Sequence, residues 1–146
     1  MVRKFYSLIC NEIVEASTIQ IAEMTKLYEN IFRVINISLS NETKEICKKI
    51  KIDFYEVLKL ASTKPFGFMP FEPGPGAGGH CIPVDPFYFN WYLKRKKIAS
   101  SFIEIAGKIN LQMPKKIFSQ IKKVIKLKNF SKKEKILFLG LTYKKN

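Results

Sequence analysis

Residues 71–86 read FEPGPGAGGHCIPVDP, and two incompatible folds can be drawn from them. Gly74, Gly76 and Gly79 have the G-x-G-x-x-G spacing of a dinucleotide-binding turn. Two residues beyond the last glycine stands Cys81, directly after His80, the only histidine of the chain. A dinucleotide turn needs a strand before it and a helix opening at its last glycine, so that free N–H groups meet the pyrophosphate. The preceding residues, STKPFGFMPFEP, have no strand alternation; Pro75 lies inside the motif and Pro83 follows closely. The fingerprint is therefore rejected. Residues 64–86 hold six Pro and five Gly, a density that breaks regular structure and makes a fixed, irregular loop. Its glycines let the backbone turn sharply or approach a ligand. Functional groups commonly sit on such loops.

Outward from the loop the patterns are helical. From Ser17 to about Lys49, Ile21, Met24, Leu27, Tyr28, Ile31, Val34 and Ile35 follow a 3.6-residue period with no Pro or Gly between them. One long helix is expected there, capped by Ser17 or Thr18. Asp53 caps a short helix, DFYEVLKLA. After the loop, Asp85 as N-cap and Pro86 as first helical residue open another helix. Ser101 and Glu104 have capping-box spacing before a further helix, whose expected apolar face is Phe102, Ile105, Ile109, Met113, Ile117, Ile121 and Val124. Pro114 bends that helix or ends it early. Last comes ILFLG, residues 136–140, which reads as a buried parallel strand opening an α/β unit. A lone strand has nothing to pair with. The expectation is a mainly α chain, a piece of a larger protein cut at the start of a second domain, with boundaries at 1–130 and 131–146.

Bulk properties narrow the function. The 146 residues suffice for one modest domain with a core. No apolar run is long enough to span a bilayer. The opening MVRKFYSLICNEIVEAS is interrupted by Asn11, Glu12 and Glu15, so no signal peptide is read and a cytoplasmic location is the default. Cys10, Cys47 and Cys81 are odd in number and far apart, with no C-x-x-C pair. Neither a disulfide framework nor a metal site is expected. The formal charge of +14 is uneven: residues 1–93 carry 10 basic and 10 acidic side chains, residues 94–146 carry 16 and 2. Such a block attracts nucleic acid or acidic surfaces. However, 23 of the 26 basic residues are Lys and only 3 are Arg, the better reader of bases and phosphates. A solvated face is the preferred reading, and no nucleic-acid or membrane partner is assigned.

The chemistry centres on Cys81. A thiol becomes a strong nucleophile when its pKa falls below the free value of about 8.5, and the dipole of a helix starting just beyond Cys81 favours the thiolate. Lys26 and Asn30 lie four apart on one helical face, residue types suited to holding an oxyanion. Asp85, four after Cys81, is a carboxylate able to move protons or place a water. Each has a plain alternative: a buried small thiol, a solvated Lys, an ordinary cap. Spacing by itself names no reaction.

The phrases GPGAGGHCIPVDPFYF, AEMTKLYENIFRVINISLSNE and ILFLGLTYKKN resemble, in order, the UDP-glucose/GDP-mannose dehydrogenase family. STKPFGFMPFEPGPGAGG looks most like the bacterial members that oxidise UDP-N-acetylhexosamines at C6. The resemblance implies the helical central domain of a larger α/β enzyme, which also forms the family's dimer contact, and a homodimer. It implies a two-step, NAD-dependent oxidation of a UDP-sugar CH2OH to a carboxylate through a thiohemiacetal and a thioester. Carried over, Cys81 is the nucleophile, Lys26 and Asn30 hold the oxyanions, and Asp85 assists proton transfer. Glu72, Pro73, Gly74, Pro75, Gly76, Ala77 and Gly78 line the nucleotide-sugar site, and Tyr143 and Lys144 reach the same substrate. The family's NAD-binding domain has no counterpart here, so the chain is expected to be inactive by itself, and the cofactor's residues stay unassigned. A non-catalytic helical dimerisation module and a Lys-rich nucleic-acid binder are the alternative functions.

Overall fold

The computed structural model describes residues 2–127, 135–137 and 139. Five helices follow in order: α1 (Val2–Tyr6), α2 (Ile19–Lys49), α3 (Phe54–Ala61), α4 (Asp85–Arg95) and α5 (Ser101–Leu127). The described residues are thus mainly helical. α2 is the spine, against which α3, α4 and α5 all pack, and α4 also packs on α5.

The expected long helix forms almost over its full span. Thr18 caps it, its side chain accepting the Ile21 amide at 3.2 Å. The Asp53 carboxylate caps α3 by accepting the Tyr55 amide at 2.8 Å. Along α2 the buried positions are Asn30, Ile31, Val34, Ser38, Asn41 and Cys47, spaced mostly by three or four residues as one helix face requires. The buried residues of α5, which packs on α2, are Ile103, Ala106, Gly107 and Met113. Ala106 meets α2 at this crossing, and Gly107 makes room for the Phe87 ring of α4. The Ser38 hydroxyl donates to the Ala106 carbonyl at 3.0 Å, satisfying a buried polar group at the crossing.

Several expectations are corrected. Val84, not Asp85, is the N-cap of α4; Asp85 is the first helical residue, its amide already bonded to the Cys81 carbonyl four residues back, and its carboxylate is taken by Asn30 instead of capping. The Ser101–Glu104 capping box does not form. Ser101 is already inside α5, and the Glu104 carboxylate takes the Lys94 ammonium at 2.9 Å. The Ser100 hydroxyl bonds Asn90. The expected α5 face is turned inward only in part: Met113 is buried and Ile109, Ile117 and Ile121 are half-buried, but Phe102, Ile105 and Val124 are exposed, and the small Ala106 and Gly107 are buried instead. Close approach of α2 at Ala106 and of the Phe87 ring at Gly107 selects small residues over large ones. α5 continues through Pro114 to Leu127. No strand is seen among the described residues: Ile136, Leu137 and Leu139 have no ladder partner, as a buried strand requires, and 138 and 140 lie outside the described residues. The boundary between 130 and 131 also lies outside them. α1 was not expected from the sequence.

Candidate functional site

The loop from 64 to Val84 is irregular throughout. It ends in a turn that closes on Cys81, whose carbonyl accepts the Val84 amide at 3.1 Å and the Asp85 amide at 2.8 Å. Cys81 is exposed and Cys47 is buried. The same turn delivers Asp85 to α2. There Asn30, only 4% exposed, donates its side-chain Nδ2 to Asp85 Oδ2 at 2.8 Å. Three of the four candidate residues are therefore tied in sequence: the Cys81 backbone to Asp85, and Asp85 to Asn30.

Lys26 stands one turn before Asn30 on α2. Its ammonium meets the Glu29 carboxylate at 3.1 Å, and both side chains are mostly exposed. An exposed pair of this kind is weak, about 0–1 kcal/mol, so Lys26 is free to exchange this partner for another. Tyr143 and Lys144 lie outside the described residues.

Residues 72–78 are held from both long helices. The Gly74 amide donates to Asn41 Oδ1 at 2.9 Å, and the Ala77 amide donates to Asn110 Oδ1. Pro73, Gly74, Gly76 and Ala77 are half-buried, whereas Glu72, Pro75 and Gly78 are exposed. Gly76 has a φ of +125°, in the region that favours glycine. At the start of the segment Phe71 packs edge-on against Phe32 of α2, with ring centroids 5.7 Å apart. Between them opens a groove of about 700 Å³, lined by Tyr28, Phe32 and Arg33 from α2 and by Met69 and Phe71 from the loop.

Asn41 and Asn110 were missed by sequence reasoning. A signal existed: both are Asn residues inside long helices, where Asn is a poor helix former and needs another reason to be present. Among the described residues, Glu104 is the one group with a resolved shift. The Lys94 hydrogen bond, then the Lys94 charge, hold its carboxyl below the ordinary value of 4.5. Its partner Lys94 belongs to α4, so the pair ties α4 to α5.

NAD, implied by the resemblance, finds no fitting place among the described residues. The rejected Gly74–Gly79 spacing is followed by a turn, not a helix, and the first helical residue after it is Asp85. Among the described residues no group of three metal-ligating side chains is present, and no helix is long and apolar enough to cross a membrane.

Residues 20–112 match the UDP-glucose/GDP-mannose dehydrogenase family, central domain. The chain belongs to this family. It is 40% identical over 126 residues to a UDP-N-acetyl-D-mannosamine dehydrogenase from Methanococcus vannielii, covering 86% of this chain and 28% of that protein. It is 38% identical over 133 residues to a UDP-N-acetyl-D-glucosamine 6-dehydrogenase from Pseudomonas aeruginosa, covering 90% and 31%. The solved structure of the UDP-D-ManNAc dehydrogenase from Pyrococcus horikoshii superposes with a TM-score of 0.79 at 33% identity, covering 88% of this chain and 30% of that one. Such a match places the helical fold described above within the family's central domain. The chain thus spans about three-tenths of the length of the relatives it matches.

Proposed function

We propose that this chain supplies the substrate-holding centre of a nucleotide-sugar 6-dehydrogenase acting on a UDP-N-acetylhexosamine. The carrying observation is the Cys81–Asp85–Asn30 linkage beneath a glycine loop pinned to both long helices. The names of the relatives support the UDP-sugar class.

In this reading Cys81 adds through its sulfur to the aldehyde-level C6 of the sugar. The carbonyl oxygen becomes an oxyanion, for which Lys26 and the Asn30 amide are the donors. Asn30 is oriented for this by Asp85, which holds one of its two N–H groups. At the thioester level Asp85 assists proton transfer to or from the attacking water. Glu72 to Gly78 line the nucleotide-sugar site, and Tyr143 and Lys144 contact the same ligand. The oxidations require a hydride acceptor, NAD by resemblance, and no step of it is assigned to these residues. By itself the chain therefore catalyses no dehydrogenation. A homodimer through the long helices is part of the proposal, supported by apolar side chains left exposed on them, such as Leu39, Ile46, Phe102 and Ile105. The place of work is the cytoplasm.

Thiol labelling tests the site. UDP-N-acetylmannosamine or UDP-N-acetylglucosamine should slow alkylation of Cys81 and leave Cys10 unaffected. Equal, unprotected reactivity of both exposed thiols would support the non-catalytic dimerisation module instead. NAD reduction by the purified chain with either UDP-sugar would overturn the claim of inactivity.

A further inference from the structure

Asn41 belongs to α2 and Asn110 to α5, yet both reach one loop. Asn41 is 1% exposed, and its Oδ1 accepts the Gly74 amide. Its Nδ2 has no partner among the described residues. Asn110 Oδ1 accepts the Ala77 amide. A Cβ placed on the intervening Gly76 would lie 2.9 Å from Asn110 Oδ1 and 3.4 Å from the Asn110 carbonyl oxygen. That carbonyl is unusual as well. The N–H that would pair with it inside the helix belongs to residue 114, which is Pro114 and has none. α5 thus presents two acceptors, one side-chain and one backbone, where the loop passes closest.

Burying a side-chain amide in a helix interior is unfavourable unless its polar atoms are used. Here the loop uses the Oδ1 of each. Only Gly78, Gly79 and His80 separate the pinned Ala77 from Cys81, whose carbonyl is closed on Asp85. Of these three, Gly79 has a φ of +101°. The segment before Cys81 is therefore fixed at both ends, with little chain between.

We propose that Asn41 and Asn110 are positioning residues, which pin the loop at Gly74 and Ala77 and so set where Cys81 stands relative to Asn30 and Asp85. This inference rests on reading the loop and Cys81 as the substrate site. The pins act through the loop backbone and touch no reacting atom.

Amide hydrogen exchange and thiol labelling on the whole chain test it. Asn110→Leu should speed exchange of the Ala77 amide by about fivefold or more, the factor expected for one lost hydrogen bond. Asn41→Leu should do the same to Gly74. Exchange of core amides at Val34 and Ala106 should stay as in the parent. Asn110→Asp keeps an acceptor oxygen in place and should restore slow exchange at Ala77. In the Leu variants the alkylation rate of Cys81 relative to the exposed Cys10 should change by about threefold or more, and Asn110→Asp should return it to the parent ratio. An unchanged Ala77 amide in Asn110→Leu overturns the pinning. A freed Ala77 amide with an unchanged Cys81 to Cys10 ratio overturns the positioning. If a Leu variant loses core protection, Asn110→Ala, at a half-buried site, carries both measurements. Protection of Cys81 by UDP-N-acetylmannosamine in the parent is scored separately. Its absence refutes the substrate reading while the exchange data still decide the pins.

Discussion

Gly107 is the position where two opposing effects of known size can be set against each other. It is buried in the middle of α5. In an open helix, Gly→Ala stabilises by about 1 kcal/mol, because Ala loses less backbone entropy on folding. At Gly107, however, an added Cβ would lie 2.5 Å from Phe87 Cε1 and 3.2 Å from both Cδ1 and Cζ of the same ring. Carbon atoms pack best at about 3.5–4.0 Å, so the ring must retreat by about 1 Å. Three of its atoms are too close, and a small rotation that relieves one presses another. Overpacking of this kind costs about 1–3 kcal/mol. The balance is a net loss of about 1 kcal/mol for Gly107→Ala, or about 4 °C in Tm for a chain of this length. Urea denaturation followed by helical circular dichroism measures it. In a Phe87→Ala background the obstacle is gone, and Gly107→Ala should instead stabilise by about 1 kcal/mol. A gain of stability from the single substitution, or the same sign in both backgrounds, refutes the reasoning that Gly107 is present to let α4 pack on α5.

Asp85→Ala should destabilise by about 1–3 kcal/mol, because it leaves the buried Asn30 amide unpaired, whereas Asp85→Asn retains an acceptor and should lose much less; urea midpoints compare the two. Val34→Ala should cost about 2 kcal/mol, since Val34 is 0% exposed between the helices and two methyl groups leave a cavity; the thermal midpoint reports it. Glu104→Gln should lower the denaturation midpoint slightly at neutral pH and progressively less in acid. The sign follows from a folded-state carboxyl held below 4.5 by Lys94: its stabilisation is present above 4.5 and is lost as pH falls through the lower, folded value. Added salt should shrink the difference too, because Lys94 is largely exposed.

Much of this protein was legible in its sequence, and the reason is local. The period of Ile31 and Val34, the Thr18 cap and the Asp53 cap involve only residues within a turn or two of one another, so chain order alone determines them. Rejection of the glycine fingerprint was equally local, since Pro75 and Pro83 forbid the strand–turn–helix that it needs. Recognition of the family came from the loop's residue types and was upheld by the match to its central domain.

Tertiary structure decided the rest. Asp85 has the sequence of a cap, but a buried donor 55 positions earlier, Asn30, makes a stronger claim on its carboxylate. Glu104 has capping-box spacing, but Lys94 reaches it from a neighbouring helix. The buried face of α5 was only partly legible in its period: Met113 was among the expected positions, but large apolar residues occur on more than one side. What selects Ala106 and Gly107 is the distance to α2 and to the Phe87 ring, which exists only once the helices are packed. Asn41 and Asn110 are 69 positions apart in the chain and meet one loop only in the folded molecule. Residue type and short-range order thus determined the helices and the identity of the loop, whereas long-range hydrogen bonds and steric fit decided what holds that loop over the helices.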